Sequence, residues 1–465
     1  EGISMSAKLS PMQIYAVLPK KNCGECGVPT CLAFAFKVST GEIKIEICPY
    51  ITEETKTKMA ALVAPPVKLI TIGVGENAVK IGGEEVVHRH EKKFNNETAL
   101  AIEISDLMDA EQITKRLEQA NSIKVVRMGQ TLNLNLVAVR GASANVQKFA
   151  ETVKFVKEKT TFPLILCSFD PNVIEAGLNV VGTDRPLIYA ADENNWGKMA
   201  ELAKRYNCPL TVYSPHNLEK MFSLIQQINA AGVSDLVLDV GLDSIMDAIN
   251  DLTILRRLAV KKRFKPAGHP TIAFPALSVG KPFDVESGYW EAAVGSILLL
   301  KYASILVLRG AEIWEILSLL TLRQNIFTDP QKPVRVEPGL IAFGQPDENS
   351  PILMTTNFAL TYYTVAGDIE SAKTNCYLLV VDTEGLSVIT SIAGEKLTAE
   401  KVADALKKFE AEKKVKHRQL VIPGTAAKIS GKIEDSTGWK VLVGPKDSGE
   451  IGAFVKDKWE QKQAS

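Results

Sequence analysis

The sequence predicts an α/β protein with three parts: a small cysteine-rich module, a central TIM (β/α)8 barrel and a C-terminal Rossmann-like α/β domain. Three observations support this prediction. Four of the seven cysteines lie within residues 23–48, eight short apolar runs alternate with helical patterns across 97–325, and the pattern changes after a Pro-rich stretch at 328–339. A chain of 465 residues is long enough for several domains.

Composition and charge narrow the class of protein. Lys plus Arg equals Asp plus Glu at 54 each, and this balance argues against a protein built mainly to bind nucleic acid. The longest apolar region, 292–310, is interrupted by Lys301 and Tyr302, so we expect a buried helix followed by a strand rather than a membrane span. An odd number of cysteines without a recognisable secretion signal indicates a cytoplasmic protein rather than a disulfide framework.

The N-terminal module, predicted for residues 5–60, carries its cysteines in the pattern C-x2-C-x4-C-x16-C, followed by a proline. The cysteines are Cys23, Cys26, Cys31 and Cys48. Glycines at 24 and 27 permit a tight turn around a bound object, and a helix from Pro29 that ends at Gly41 would place Cys31 in its first turn. The spacing favours a [4Fe–4S] cluster, which takes three close thiolates and one remote thiolate before a proline. A zinc site and a non-metal role stay open as alternatives.

Residues 61–96 contain Pro65-Pro66 and short alternating runs, which predict a linker and a small β-hairpin before the barrel. The barrel is predicted for 97–325, because short continuous apolar runs are typical of strands buried on both faces. The predicted strands are 99–105, 135–141, 163–169, 186–192, 209–214, 235–241, 270–278 and 305–310. The number eight favours a barrel over the alternative, an open doubly wound sheet.

Polar residues follow most of these strands, but none of their combinations matches a catalytic pattern. They are Ser105, Asp106, Arg140, Gly141, Asp170, Asp192, Glu193, Ser214, Asp239, Pro275, Arg309 and Gly310. Ordinary loop chemistry explains each of them. His88 and His90 lie in a charged segment and are interpreted as part of a solvated face.

The C-terminal domain is predicted for 326–465. Strands are expected at 350–357, 376–383, 385–390, 418–424 and 440–445, and a helix is expected to begin after Asn357 as its N-cap. The strand ends carry small hydroxyl, amide, glycine and proline residues. Ligands of open α/β sheets bind beyond the carboxyl ends of the strands, so these residues indicate a ligand site there.

Several segments together resemble a known family. The stretches "LPKKNCGECGVPTCLAFAF…CPY", "TTNFALTYY", "DTEGLSVIT", "IPG" and "DSTGWKVLVGP" are similar to the large (gamma) subunit of corrinoid iron–sulfur proteins of the acetyl-CoA synthase/CO dehydrogenase pathway. The resemblance covers nearly the whole chain. It implies a methyl carrier of the methyltransferase class rather than a stand-alone catalyst.

In that family a bound corrinoid, as Co(I), accepts a methyl group from a methyltetrahydropterin and donates it to acetyl-CoA synthase, while a [4Fe–4S] cluster returns Co(II) to Co(I). The resemblance therefore implies four partners: a small subunit that completes a heterodimer, a methyltetrahydropterin:corrinoid methyltransferase, acetyl-CoA synthase, and a reductive activator or ferredoxin. It implies no nucleic-acid or membrane partner.

The resemblance also assigns residues to the two cofactors. The cluster ligands would be the four clustered cysteines named above. The corrinoid would contact the strand ends and loops of the C-terminal domain. These residues are Thr355, Thr356, Asn357, Thr361, Tyr362, Gly385, Leu386, Ser387, Val388, Ile389, Thr390, Gly424, Thr425, Gly444 and Pro445.

One absence from the sequence carries information. Many corrinoid-binding domains contain D-x-H-x-x-G, whose histidine binds the lower face of cobalt, and this string does not occur here. His417, in the basic run "KKVKHRQ", is expected at the surface. We therefore expect a base-off, cobalamin-type corrinoid without a histidine ligand. Weak lower ligation stabilises Co(I), and a low-potential cluster is a matching electron source.

Two rival interpretations remain. The first is an iron–sulfur electron-transfer adaptor that binds no corrinoid. The second is a barrel enzyme that binds methyltetrahydropterin itself, with Asp170, Asp192 and Asp239 as candidate pterin ligands.

Overall fold

The computed structural model describes residues 10–40, 42–52, 64–278 and 285–460. The described residues divide into two compact units. The first unit extends to Val125 and continues with Leu132–Phe327. The second unit comprises Val126–Thr131 and the residues from Thr328 onward. The predicted helix end at Gly41 and the predicted boundary between residues 60 and 61 lie outside the described residues. The bounds of the four predicted segments stay predictions.

The N-terminal module contains two helices, α1 (Pro11–Val17) and α2 (Cys31–Thr40), and a 3-10 turn at Ile45–Ile47. Helix α1 begins in a capping box, in which the Ser10 hydroxyl accepts from the Gln13 N–H and the Gln13 side chain accepts from the Ser10 N–H. The two helices enclose a small apolar core. Its buried members are Ile14, Leu18, Val28, Phe34, Ala35 and Cys48.

The predicted hairpin precedes the barrel. Strand β1 (Ile70–Ile72) pairs antiparallel with β2 (Val79–Ile81). A second hairpin, which the sequence analysis missed, joins β4 (Lys124–Arg127) to β5 (Gln130–Asn133). Its residues are mostly exposed or half-buried, so no apolar run marks it.

The eight predicted barrel strands are all present and lie side by side in parallel. They are β3 (Ala99–Ser105), β6 (Leu136–Arg140), β7 (Leu164–Cys167), β8 (Leu187–Ala191), β9 (Leu210–Tyr213), β10 (Leu236–Asp239), β11 (Ile272–Ala273) and β12 (Ile305–Leu308). β12 returns to pair with β3, and a bridge between Leu238 and Thr271 links β10 to β11, which nearly closes the sheet. The TIM-barrel prediction is confirmed, and the open-sheet alternative is wrong.

Helices connect the strands around the outside. They are α3 (Ala110–Ser122), α4 (Val146–Lys159), α5 (Pro171–Val181), α6 (Trp196–Tyr206), α7 (Leu218–Ala230), α8 (Ile245–Lys262), α9 (Val285–Leu300) and α10 (Ile313–Phe327). Strand residues alternate between two cores: in β3, Leu100 and Ile102 pack outward with the helices, whereas Ala99 and Ala101 face the interior. Burial on both sides explains why these strands read as continuous apolar runs.

The apolar region 292–310 forms the end of α9 and then β12, as expected. Among the residues that the structure describes, no helix has both the length and the apolar character needed to span a bilayer.

Two buried carboxyl groups meet behind β12. Glu291 of α9 accepts hydrogen bonds from the N–H groups of Arg309 and Gly310, at 2.8 and 2.7 Å, and Glu315 of α10 hydrogen-bonds to it. Two effects raise the pKa of Glu315 to about 9: burial is the larger, and the hydrogen bond to Glu291 is the second. Glu315 is therefore protonated at neutral pH and donates to the Glu291 carboxylate.

This pair predicts a pH-dependent stability of the barrel. The folded barrel holds a proton that the unfolded chain releases above about pH 4.5, so the free energy of unfolding should fall as pH rises from about 5 to about 9. Glu315→Gln keeps a donor for Glu291 but cannot titrate, and it should flatten that slope in chemical unfolding curves. Glu118→Gln, a change at an exposed position of helix α3 in the same barrel, is the control that should keep the wild-type slope. An equal slope in wild type and Glu315→Gln would contradict the assignment.

The second unit contains a five-stranded sheet. Its strands are β13 (Gly339–Phe343), β14 (Ile352–Thr356), β15 (Cys376–Val381), β16 (Gln419–Ile422) and β17 (Lys440–Val443). The spatial order is β13-β15-β14-β16-β17; β13 is antiparallel to β15 and the other pairs are parallel. The four parallel strands therefore follow the order 2-1-3-4, as in flavodoxin-like doubly wound sheets, rather than the 3-2-1-4 of the dinucleotide-binding fold.

Helices cover both faces of this sheet. They are α11 (Ala359–Ser371), α12 (Val388–Ala393), α13 (Ala399–Lys408), α14 (Ser430–Thr437) and α15 (Ile451–Phe454). Side chains of β14 alternate between the two cores, with Ile352 and Met354 facing α13 and α14, and Leu353 facing α11.

Two local predictions in this unit are wrong. Residues 385–390 were predicted as a strand, but Ser387 is the N-cap of helix α12. Asn357 was predicted as the N-cap of α11, but that position belongs to Phe358, because the Asn357 side chain bonds to another loop.

Candidate functional site

The first two clustered cysteines lie on a tight turn. Gly24 and Gly27 have φ values of 77° and 80°, and the Gly27 N–H donates to Gly24 O at 2.9 Å. An added Cβ at either glycine would meet no atom within 4 Å, so there is space for a side chain. Glycine is favoured at these positions because the backbone is left-handed. The turn presents Cys23 exposed and Cys26 half-buried.

The other two cysteines lie on segments that hydrogen bonds join to the chain around this turn. Cys31 begins α2, and Cys48 is buried in the module core with 8% of its surface exposed. Tyr50, two residues after Cys48, donates from its hydroxyl to Glu25 at 2.8 Å, and Lys21 lies over its ring at 3.7 Å. The segment with the fourth cysteine is thereby fastened to the turn that carries the first two.

The donor set of this module fits an iron–sulfur cluster: four thiols in one small module, with glycines between them and a helix N-terminus at the third. Within the part of the chain that the structure describes, no group of three or more His, Cys, Asp or Glu side chains is placed to hold a metal ion. The assignment of the four cysteines as cluster ligands is therefore a proposal and is taken up below.

A groove of about 320 Å³ opens in the second unit at the carboxyl ends of β14 and β16. The chain leaves β14 toward β15 on one side, whereas β16 lies on the other side, so the groove occupies the point where the strand order reverses. Ligands of doubly wound sheets bind in this crevice. The lining residues are Leu353, Met354, Thr355, Leu360, Thr361, Thr364, Val365, Ser387, Val388, Ile389, Val421, Ile422, Pro423, Thr425, Gly444, Pro445, Lys446, Ser448 and Ile451.

The groove is apolar with a few hydroxyl groups. Thr355 is 1% exposed, and its Oγ1 has no hydrogen-bond partner among the described residues. A buried hydroxyl without a partner costs about 1–3 kcal/mol, so an atom of this kind that faces a groove is suited to a ligand. Lys446 is the one charged residue among the described residues that line the groove.

Asn357 holds one wall of the groove in place. Its Oδ1 accepts hydrogen bonds from the N–H groups of Thr383 and Gly385 and from the Thr383 hydroxyl, at 2.9, 3.0 and 3.1 Å. Its Nδ2 donates to Asp382 at 3.0 Å. These bonds fix the loop that leads to Ser387 and α12, and Asn357 itself is buried outside the groove lining.

The opposite wall depends on a close approach of two loops. The Gly424 N–H donates to Pro445 O at 2.8 Å. A Cβ at position 424 would lie 2.8 Å from Gly444 O and 2.9 Å from the Lys446 nitrogen. Gly424 is therefore required by the contact between the loops, although it does not line the groove.

The structure brings together about half of the residues predicted for this site. The predicted residues that line the groove are Thr355, Thr361, Ser387, Val388, Ile389, Thr425, Gly444 and Pro445. The predicted residues that do not line it are Thr356, Asn357, Tyr362, Gly385, Leu386, Thr390 and Gly424. The sequence analysis missed Leu360, Thr364 and Val365 on one face of α11. Leu360 and Thr364 are four residues apart, as are Thr361 and Val365, and this helical spacing is the signal that could have revealed the face.

His417 was predicted at the surface, and this prediction is wrong. The residue is half-buried at the amino ends of the strands. Its Nε2 contacts Ser350 O at 2.9 Å, its Nδ1 accepts from the Gln419 N–H at 3.2 Å, and its ring packs on Trp459. The strands separate this histidine from the groove, which lies at their other ends. Among the residues that the structure describes, no histidine lines the groove.

Comparison with known proteins decides the family. The family model described as CO dehydrogenase/acetyl-CoA synthase delta subunit matches residues 69–455, and an Fe-S cluster family model matches residues 18–50. The acetyl-CoA decarbonylase/synthase complex subunit gamma of Methanothermobacter thermautotrophicus is 44% identical over 96% of this chain and 98% of its own. The corrinoid/iron-sulfur protein large subunit of Moorella thermoacetica is 43% identical over the same shares. The chain belongs to this family of gamma, or large, subunits.

Solved structures similar to this family member include the dihydropteroate synthase of Thermus thermophilus. That likeness covers 56% of this chain and 99% of the synthase, at 13% sequence identity and a TM-score of 0.39.

The three candidate pterin ligands of the barrel each accept hydrogen bonds from nearby groups of the protein. Asp170 accepts from the Asn172 N–H, and Asp192 accepts from two N–H groups in the loop that follows it. Asp239 accepts from the Gly241 N–H and the Tyr189 hydroxyl, each at 2.9 Å, while burial raises the pKa of Asp239 to about 6. A helix cap at Asp170, a loop turn at Asp192 and the buried hydrogen bonds of Asp239 account for the three carboxylates.

Proposed function

We propose that this protein is a cytoplasmic methyl carrier of the reductive acetyl-CoA pathway, with a corrinoid at the groove and a [4Fe–4S] cluster on the four-cysteine module. The observation that carries the proposal is the groove at the reversal point of the C-terminal sheet, with the partnerless hydroxyl of Thr355. It occurs in a chain whose relatives are named corrinoid/iron-sulfur protein large subunit and acetyl-CoA decarbonylase/synthase gamma subunit.

When bound, the corrinoid supplies a cobalt centre that carries the methyl group, and the cluster supplies the electron that restores its reduced form. The residues that would hold the cluster are Cys23, Cys26, Cys31 and Cys48. The left-handed turn at Gly24 and Gly27 would let the backbone pass close to the bound group, and the N-terminus of α2 favours the thiolate of Cys31.

The groove residues would bind and orient part of the corrinoid. The groove, with a volume of about 320 Å³, would enclose only a portion of so large a ligand. The remainder of the corrinoid would lie across the opening. The hydroxyl of Thr355 would donate a hydrogen bond to the enclosed portion, and the apolar side chains of α11 would exclude water from it. Lys446 favours an anionic group at the rim.

The lower face of the cobalt would have no histidine ligand from this domain. The groove lining contains no histidine among the described residues, and both nitrogens of His417 are engaged at the opposite edge of the sheet. This supports a corrinoid without a histidine ligand from this domain, which we propose to be a doubly wound domain of Rossmann-like type. We extend the proposal to a base-off form, in which the corrinoid's own base does not bind cobalt either.

The names of the relatives support further partners. A large or gamma subunit implies a small subunit and an acetyl-CoA synthase complex. We extend the proposal to a methyltetrahydropterin:corrinoid methyltransferase as the donor and a reductive activator or ferredoxin as the electron source.

The deciding experiment measures cobalt and iron per chain in anaerobically purified protein, with a visible spectrum. We expect about one cobalt and four irons per chain, in line with one corrinoid and one four-iron cluster, and a base-off corrinoid band. Iron without cobalt, even after reconstitution with a corrinoid and the small subunit, would instead favour the electron-transfer adaptor.

A pair of adjacent threonines tests the groove directly. Thr355→Val preserves shape and removes the partnerless hydroxyl, so it should leave stability unchanged or higher while lowering corrinoid affinity about 3- to 10-fold, the worth of one hydrogen bond. The control is Thr356→Val, because Thr356 is also buried with a partnerless hydroxyl but does not line the groove. Spectroscopic titration of both variants checks this. Equal affinity losses in the two variants would show that the hydroxyl of Thr355 does not contact the ligand.

A further inference from the structure

Asn22, the residue immediately before the first clustered cysteine, makes two hydrogen bonds to Cys31. Its backbone N–H donates to Cys31 Sγ at 3.4 Å, and its side-chain Oδ1 accepts from the Cys31 N–H at 2.8 Å. The two bonds form a reciprocal pair between residues nine positions apart in the chain. They join the loop before Cys23 to the first turn of α2.

The backbone of Asn22 explains why this residue type suits the position. Its φ is 50°, in the left-handed region, where asparagine is several-fold enriched among residues other than glycine. Glycine would accept this φ but has no side chain to bond the Cys31 N–H. Alanine would be strained there and would also lack the acceptor. Asparagine meets both requirements.

The side chain thereby orients the backbone donor. Because Oδ1 holds the Cys31 N–H, the distance between the Asn22 N–H and Cys31 Sγ is fixed from both ends. A hydrogen bond to a thiolate sulfur stabilises negative charge, and a reduced cluster is one electron more negative than an oxidised one. Hydrogen bonds to cluster sulfurs are among the factors that set the reduction potential.

We propose that Asn22 is a positioning residue that raises the reduction potential of the cluster by holding its own N–H on the sulfur of Cys31. The proposal rests on the cluster assignment made under the proposed function. Its consequence is a balance: the cluster stays reducible by an external electron donor while it remains a strong enough reductant for the cobalt centre.

The test is a redox titration of the cluster followed by electron paramagnetic resonance in the anaerobically purified full-length chain. Asn22→Ala should lower the midpoint potential, so that the ratio of reduced to oxidised cluster at a fixed ambient potential falls several-fold; a tenfold fall corresponds to about 59 mV for one electron. Asn22→Gly keeps the left-handed backbone and the N–H but loses Oδ1, and it should shift the potential in the same direction by less.

The matched control is Thr30→Ala. The Thr30 hydroxyl accepts from the Ala33 N–H at 3.1 Å, so its loss loosens the same first turn of α2 without touching a sulfur. We expect the control to keep the wild-type potential. An equal shift in Thr30→Ala and Asn22→Ala would overturn the proposal, because loosening of the helix would then explain both.

The remaining outcomes are also decisive. If the wild-type protein binds four irons and the midpoint potential of Asn22→Ala equals that of wild type, the role of Asn22 is overturned. The cluster assignment then stays intact. Wild type without iron would instead overturn the cluster assignment itself. If Asn22→Ala fails to retain iron, Asn22→Gly decides alone, and a potential equal to that of wild type would refute the proposal. Electron–nuclear double resonance should also show a weaker exchangeable-proton coupling in both variants.

Discussion

Cys48→Ala is expected to abolish cluster binding, with iron falling from about four per chain to near zero. Cys48 would be the remote ligand, and it is also part of the module core, so its removal takes away a thiolate and a buried contact together. The groove belongs to the other unit of the chain, and corrinoid binding should therefore persist. Iron analysis, cobalt analysis and the visible spectrum of the same sample measure both effects.

The control for this experiment is Cys208→Ala. Cys208 is a buried cysteine of the barrel, and burial raises the pKa of its thiol to about 12, so it remains a neutral thiol at neutral pH. Loss of this sulfur should leave the iron content unchanged. Full iron content in Cys48→Ala would show that a different side chain supplies the fourth ligand or that the bound group needs three.

Gly424→Ala is expected to lower corrinoid affinity by about 100-fold, or about 3 kcal/mol. The new methyl group would lie within 2.9 Å of backbone atoms in the facing loop, where no flexible side chain can move aside. The two loops must separate, and the bond from the Gly424 N–H to Pro445 O is then lost. Titration with a corrinoid, followed by visible absorbance, measures the change.

Gly431→Ala is the matched control, seven residues along the chain. Gly431 lies in helix α14, and an added Cβ there meets nothing within 4 Å. Glycine is the poorer helix former by about 1 kcal/mol, so this variant should be equally or more stable and should bind the corrinoid as wild type does. Wild-type affinity in Gly424→Ala would mean that the two loops do not form the binding wall.

The barrel could be predicted because its strands are buried on both faces. Each strand then appears in the sequence as a short uninterrupted apolar run, such as "PLILCSF" around β7, and the number of runs defines the architecture. The hairpin β4–β5 and the edge strand β13 lack this signal, because their side chains are mostly half-buried or exposed. Strand β13 was hidden next to a Pro-rich stretch that indicated only a linker.

Helix α12 shows how tertiary context overrides local preference. Val388, Ile389 and Thr390 are β-branched and favour a strand in isolation. The loop before them is fixed by Asn357, and Ser387 starts a short helix whose Val388 packs into the core with α13 and α14. A hydrogen bond between residues 28 positions apart cannot be read from a local pattern.

The groove lies at the edge of the sheet where the sequence predicts a ligand site, but its lining includes residues that the sequence analysis did not select. Strand ends can be located from the sequence, and half of the residues chosen there do face the groove. The contribution of α11 requires knowing which face of that helix looks across β14, and Lys446 and Ser448 come from a loop with no motif. These depend on packing between distant segments.

The small core of the N-terminal module has a consequence for the life of the protein in the cell. The described residues of the module bury six side chains, which are too few to keep a segment of this size folded. In such modules the bound metal group supplies much of the folding free energy. A newly made chain that has not received iron and sulfide would thus expose an unfolded N-terminus to proteases, while its large barrel core remains intact. Cluster assembly would then act as quality control, linking the abundance of the carrier to the supply of iron.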